Sequence, residues 1–206
     1  MSRLEVAVKP LLTGLIESTI NPGDLDRQQR FTLAQWTLKT ASALNRTSSY
    51  ANPKRTNSRA VPDAHLRTLA AERMPPEVLI VATTHEGFDR HFDFLQYAQW
   101  RNPQNSIALQ EDHRSGSYKI ALTFRRLILI AAYYPSDDYA YGLNTLGCVP
   151  LWCGRRVVEF NHIWDDTLSK TLAPRLEVPL RNISVVSHTW MSLVDNVTHT
   201  RFIQLP

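Results

Sequence analysis

The sequence predicts an α+β fold, with N-terminal helices followed by a mainly antiparallel sheet. Up to about residue 73 the apolar residues recur at helical spacing, whereas from about residue 77 short β-branched and aromatic runs are separated by turn residues. Helices and strands in separate blocks are typical of α+β domains. A chain of 206 residues with 43% hydrophobic content is expected to form one domain over residues 1–206.

The helical part contains three predicted helices. The first opens with a capping box at residues 2–5, and Pro10 either kinks it or is its first helical position. The second covers about 27–45, and its Trp36 lies among apolar residues and is expected to be buried. A short third helix is expected after Pro62, with Leu66, Leu69 and Ala70 facing inward.

The sheet part contains several predicted strands. Their period-2 patterns and the turn residues between them favour antiparallel hairpins. The segments are EVLIVATT (77–84), FDFLQYAQW (92–100), SIALQEDH (106–113), SYKIALTFRRLILIAAYY (117–134), 155–163, 182–188 and the tail THTRFIQL (198–205).

The composition excludes several classes of protein. No run approaches the roughly 20 apolar residues of a membrane helix, since the longest, LILIAAYY at 127–134, is far shorter. The N-terminus lacks the pattern of a secretory signal. Cys148 and Cys153 are therefore interpreted as reduced thiols, too few for a zinc site, with Cys148 a buried hydrophobe. A cytoplasmic protein without a cofactor or a membrane partner is expected.

The positive charge is concentrated in one part of the chain. The net charge is +4, yet no acidic residue occurs between Asp26 and Asp63. Such a block favours an anionic partner, of which nucleic-acid phosphate is the commonest. The segment 45–61 lacks periodicity and is predicted to be a flexible basic loop. The candidate binding residues are Arg27, Arg30, Lys39, Arg46, Lys54, Arg55 and Arg59.

Enzyme motifs are weak. The sequence has no GxSxG, GxxxxGK[ST], GxGxxG or HExxH pattern. His85, Asn105 and His113 follow the order of a ββα-metal nuclease site, but alternating apolar residues around Asn105 indicate a strand and not the loop and helix of such a site. In EFNHIWDD (159–166) a strand would place the glutamate and the histidine on opposite faces. Neither cluster is expected to hold a metal.

Four segments together resemble a bacterial family of HNH-endonuclease-like proteins. In that family a nuclease finger ends in a segment of the type CN-x-GWMS-x-LE, and a helix with KP-x-L follows. A later helix has a W-x-x-KTA core, two prolines precede an apolar strand, and an IWP-like segment comes near the end. The matching residues here are MSRLE with VKPLL (1–12), Trp36 with 39–41, 75–81, and Ile163–Trp164, with Asp165 where the family has proline.

The resemblance implies that the metal-binding residues of the finger lie before the position of Met1, so no catalytic residue can be carried over. The chain is then expected to be a fragment, the product of a start codon placed within the finger, or a finger-less relative from a phage or mobile element. The leading hypothesis is a non-catalytic, nucleic-acid-associated module that binds nucleic acid or a nucleoprotein complex. The alternatives are a phage or mobile-element inhibitor or adaptor that binds a host protein complex such as a defence complex, and a fragment of a metal-dependent HNH endonuclease.

Overall fold

A computed structural model describes the helices, the strands and part of the chain that connects them. The order of elements, helices before strands, and the antiparallel central sheet confirm the α+β fold class. Among the described residues, no helix is both long enough and apolar enough to cross a membrane. The described residues are 3–51, 61–84, 93–97, 100–101, 108–109, 118–135, 139–144, 148–155, 157–160 and 197–201.

Among the residues that the structure describes, three α-helices form one layer. They are α1 (Arg3–Ile16), α2 (Arg27–Ala51) and α3 (Asp63–Ala70), and a 3₁₀ turn (Pro22–Asp24) lies between the first two. Pro10 is inside α1, so the interpretation of Pro10 as the first helical position is wrong. α1 packs along α2, and α2 crosses the central sheet.

Helix α2 is longer than the sequence pattern predicts. It begins with a reciprocal capping box, in which the Gln29 N–H donates to Asp26 Oδ1 at 2.8 Å and the Asp26 N–H donates to Gln29 Oε1 at 2.9 Å. It continues to Ala51, so the predicted loop over 45–61 is wrong for residues 45–51. The polar residues after Asn45 contain no helix breaker, and Pro53 restricts only the residue before it.

Helix α3 turns a different face to the sheet than predicted. Leu66 and Leu69 are half-buried against the core, as expected. Ala70 is exposed, so its inward placement is wrong, and His65 is buried in its stead with 2% of its surface exposed. A polar residue therefore occupies the centre of the α3–sheet contact.

In the part of the chain that the structure describes, ten strands form three sheets. The central sheet has the order β2-β5-β6-β1-β8 with every neighbouring pair antiparallel. A second sheet has the order β10-β7-β9, in which β7 and β9 are parallel, and β3 pairs with β4. The strands are β1 (Val78–Thr84), β2 (Asp93–Tyr97), β3 (Trp100–Arg101), β4 (Ala108–Leu109), β5 (Tyr118–Phe124), β6 (Leu127–Tyr133), β7 (Tyr139–Asn144), β8 (Cys148–Cys153), β9 (Val157–Phe160) and β10 (Val197–Arg201).

The predicted strands overlap observed ones wherever the structure describes the predicted segments. The segment 155–163 contains β9, and the predicted tail 198–205 overlaps β10, which begins one residue earlier at Val197. The sequence pattern did not predict β7 or β8. The predicted strand at 182–188 lies outside the described residues.

Both faces of the central sheet are covered. Alternate residues of β1 divide between two hydrophobic clusters: Ile80 packs with the helices, whereas Leu79 and Val81 pack with Tyr141 and Leu143 of the second sheet. All of β1 except its last residue, Thr84, is buried. This explains why β1, β5 and β6 are nearly continuous apolar runs, the pattern expected of strands covered on two sides.

Helix α2 supplies much of the cluster on the helical face. Leu33, Ala34, Leu38 and Ala41 are completely buried, and a fully buried leucine side chain contributes about 1.5–3 kcal/mol to the free energy of unfolding. Trp36, expected to be buried, is only half-buried and packs against Phe124 with ring centroids 5.7 Å apart.

Candidate nucleic-acid interface

The basic residues at the start of α2 differ in their surroundings. Arg27 is exposed at the first position of the helix. Arg30 folds back on the preceding turn, where Nε donates to the Leu25 carbonyl at 2.8 Å and Nη2 donates to the Gly23 carbonyl at 2.9 Å. These carbonyls belong to the turn before α2, so Arg30 has a structural role that the sequence did not predict.

Lys39 lies at the middle of α2 and links it to α1. Its Nζ is 3.1 Å from Glu5 Oε1, and 47% and 41% of the two side chains are exposed. An ion pair this exposed contributes about 0–1 kcal/mol to stability. The positive charge of Lys39 is therefore accessible to solvent but is partly offset by a carboxylate of the same chain.

At the other end of α2, two contacts join the helix to the chain at the start of α3, where the segment 45–61 ends. The Val61 N–H donates to Oδ1 of the buried Asn45 at 3.4 Å, and the Arg46 guanidinium pairs with the Asp63 carboxylate. We call these two contacts the stem. They place the last described residues of α2 beside the start of α3.

The stem brings together the two ends of the segment 47–60, which contains three of the seven predicted binding residues. Lys54, Arg55 and Arg59 lie outside the described residues. The structure thus brings Arg46 to the base of the segment that contains them. It places Arg27 near the opposite end of a helix of 25 residues, about 28 Å away at 1.5 Å of rise per residue.

The sheet side of α3 contains a polar network that sequence reasoning missed. His65 Nδ1 is 3.0 Å from the Tyr118 hydroxyl, and Nε2 is 2.8 Å from Glu77 Oε1. The ring of Tyr133 packs edge-on against the imidazole with centroids 4.6 Å apart. The Tyr141 hydroxyl donates to the Glu77 carbonyl at 2.6 Å. We call the His65, Glu77 and Tyr118 contacts the His65 network.

The electrostatics of this network favour a neutral histidine. Because an ionised carboxylate can only accept, Nε2–H donates to Glu77 and Nδ1 accepts from the Tyr118 hydroxyl. Burial lowers the pKa of His65, and the nearby Glu77 carboxylate opposes that shift. Burial also raises the pKa of Tyr118 well above its ordinary value. With Tyr118 1% exposed, the network fixes α3 on the sheet.

One sequence signal could have pointed to His65. Leu66 and Leu69 of the third helix predict a buried face. Residue 65 lies four positions before Leu69, so helical spacing places it on that same face. The partners could not have been found this way, because Tyr118 is 53 residues away along the chain and meets His65 only through the sheet.

The candidate metal clusters are not brought together by the described residues. His85, Asn105 and His113 lie outside them, as do the histidine and the two aspartates of EFNHIWDD, while Glu159 lies on β9. In the part of the chain that the structure describes, no group of three or more His, Cys, Asp or Glu side chains could hold a metal ion.

The two cysteines are unpaired and differ in burial. Cys148 is buried, as predicted, whereas Cys153 is half-buried. Burial raises the pKa of the Cys148 thiol to about 11, although a hydrogen bond with Thr83 opposes the shift. A thiol with that pKa is protonated at neutral pH and is a poor nucleophile.

Comparisons with known proteins give no relative from which a function could be transferred. No protein-family model, no curated protein and no solved structure matches the chain. The site is therefore interpreted from its own charges and contacts.

Proposed function

We propose that this chain is a non-catalytic module that binds nucleic acid through the basic interval 27–59, both by itself and as part of a complex that processes nucleic acid. The observation that carries the proposal is the presence of seven basic residues and no acidic residue between Asp26 and Asp63. Phosphate contacts from such an interval release counterions and provide affinity with little dependence on base sequence. The resemblance to the region that follows an HNH finger supports the same class of partner and a cytoplasmic location.

The contacts within the interval favour its C-terminal end as the principal binding region. Arg30 uses two donors on its own turn, and Lys39 faces a carboxylate of α1. Arg46 lies at the stem, next to the segment with Lys54, Arg55 and Arg59. Its partner Asp63 is 72% exposed, so a phosphate can compete for the guanidinium with little loss of folding energy. Arg27 is an additional, distant contact on the same helix.

The test is binding of labelled mixed-sequence DNA and RNA at about 50 and 200 mM salt. Wild-type protein is expected to bind with an affinity that falls steeply as salt rises. The variant Lys54→Glu/Arg55→Glu/Arg59→Glu is expected to bind more weakly on every sequence, with the salt slope reduced by about one unit for each lost contact.

A matched control separates a local contact from the effect of net charge. Arg3, Lys9 and Arg73 are exposed and lie outside the interval, so replacing all three by glutamate changes the net charge equally. The control is expected to retain most of the wild-type affinity. An equal loss in both variants would show that overall charge, and not the interval, determines binding.

Absence of binding by wild-type protein to both DNA and RNA would overturn the proposal. The adaptor hypothesis, in which the same surface binds an acidic host protein, would then take its place. An upstream reading frame with a CxxC and histidine-bearing finger would instead extend the proposal, because this chain would be the DNA-contacting part of a metal-dependent endonuclease.

A further inference from the structure

The turn between β5 and β6 carries two arginines at a position where other residue types are expected. Phe124 pairs with Leu127, so Arg125 and Arg126 are the two central residues of the hairpin, and both are exposed. In a two-residue hairpin of this kind the first central residue has positive φ, so glycine, asparagine and aspartate are favoured there. Arg125 has a φ of 52°, which is strained for a side chain with a Cβ.

Other described residues with positive φ have a different setting. Ser18 (φ 59°) follows α1, and Glu72 (φ 56°) follows α3, where a left-handed residue is the ordinary way to end a helix. Arg125 is instead in a hairpin whose strands pair in register over all seven positions. The turn geometry explains the positive φ but not the arginine. Strain retained at an exposed position of a rigid element points to a function.

The surroundings of the turn connect it to α2. The ring of Phe124 packs against Trp36 with centroids 5.7 Å apart, which places the turn beside the middle of α2, three residues before Lys39. Thr84, the exposed last residue of β1, pairs with Leu127 at the same end of the sheet. Asp93 pairs with Thr123 on the neighbouring strand.

We propose that Arg125, at the tip of the β5–β6 turn, is a second phosphate contact for the nucleic acid that binds the basic interval. This inference rests on the proposed function and adds a contact that no charge run in the sequence marks. Arginine at a hairpin tip presents a planar fork of donors that matches phosphate oxygens. The hairpin holds that fork on the central sheet, so little ordering is required on binding.

The experiment compares Arg125→Gly, Arg125→Asn and Arg125→Lys with wild-type protein by thermal unfolding and by binding of mixed-sequence DNA and RNA at two salt concentrations. Glycine and asparagine tolerate the positive φ, so their unfolding midpoints are expected to equal or exceed that of wild type. Both variants are expected to bind several-fold more weakly, with a salt slope smaller by about one unit. Arg125→Lys retains the charge and is expected to bind close to wild type.

Two controls accompany these variants. Arg73→Gly removes an exposed arginine outside the hairpin and is expected to leave the affinity nearly unchanged. Glu72→Gly relieves a similar positive φ elsewhere and shows how far relief of that strain alone raises the unfolding midpoint.

The outcomes separate this inference from the proposed function. If wild type binds nucleic acid and Arg125→Gly binds with wild-type affinity and slope, the second contact is wrong and the proposed function stands. If Arg125→Gly lowers the unfolding midpoint and Arg125→Lys binds equally weakly, the residue is structural and the inference is again wrong. If wild type binds neither DNA nor RNA, both proposals fail together.

Discussion

The two ends of α2 are held to the rest of the molecule by different physical means. Between Phe31 and Ala41 the helix packs on the sheet through completely buried apolar side chains such as Leu33 and Leu38. From Asn45 onward the described contacts include the polar ones of the stem and, on the neighbouring α3, those of the His65 network. Burial of apolar area stabilises the first part, whereas ion pairs and hydrogen bonds stabilise the second.

This difference explains how one helix can serve both a core and a binding surface. Burial of apolar area is insensitive to pH and salt over the ordinary range, so the sheet-facing part keeps the fold constant. Exposed ion pairs exchange partners at little cost, so the stem can present Arg46 to a phosphate without disturbing Leu38. Substitutions at the two ends of α2 are therefore expected to differ sharply in their effect on the free energy of unfolding.

The largest expected effect is in the packed part. Leu38→Ala removes a side chain with no exposed surface and is expected to lower the free energy of unfolding by about 2–5 kcal/mol. Urea denaturation measures this, with the half-buried Leu44 replaced by alanine as the comparison. Equal losses in the two variants would remove the distinction between the packed and polar parts.

The His65 network gives the next largest effect. Tyr118→Phe removes the hydroxyl that donates to His65 Nδ1 and leaves a buried acceptor unsatisfied, which is expected to cost about 1–3 kcal/mol. His65→Phe/Tyr118→Phe removes both partners, so the double variant is expected to lose less than the sum of the single losses. Additive losses in urea denaturation would show that the two groups do not interact.

The same network predicts a dependence of stability on pH. Because burial lowers the pKa of His65 in the folded protein, the unfolded chain binds a proton on this histidine at a higher pH than the folded protein does. The contribution of neutral His65 is complete above the unfolded pKa of about 6.5 and decreases as the pH falls through the lower folded pKa. The difference in free energy of unfolding between wild type and His65→Gln, measured from pH 7.5 downward, is expected to shrink below pH 6.5. A constant difference would place the histidine outside the network.

The pattern of neighbouring residues was sufficient to predict the fold class and much of the sheet, because hydrophobic periodicity and turn residues can be recognised over short stretches of sequence. The paired strands β5 and β6 and the short β9 all follow from such patterns. The end of α2 was misplaced since residues after Asn45 have no apolar period, and only the absence of a breaker before Pro53 allows the helix to continue.

The site could be predicted from the sequence only in part, because charge is visible along the chain and its partners are not. The basic interval was evident, but the carboxylates that pair with Lys39 and Arg46 come from Glu5 and Asp63 in other elements. The His65 network and the strained turn at Arg125 depend on sheet register and on one backbone angle. Both features depend on the tertiary structure and leave no pattern among neighbouring residues in the sequence.

The smallest expected effect is at the stem itself. Arg46→Ala, Asp63→Ala and the double variant form a cycle whose interaction energy is expected to be about 0–1 kcal/mol, because 47% and 72% of the two side chains are exposed. The value should fall further as salt is raised, since exposed charges are screened. In the same variants the affinity for nucleic acid should diverge: Arg46→Ala loses a phosphate contact, whereas Asp63→Ala frees the guanidinium and removes a repelling carboxylate. Opposite changes in binding with nearly equal stability would locate Arg46 on the interface, while parallel changes would confine the pair to a structural role.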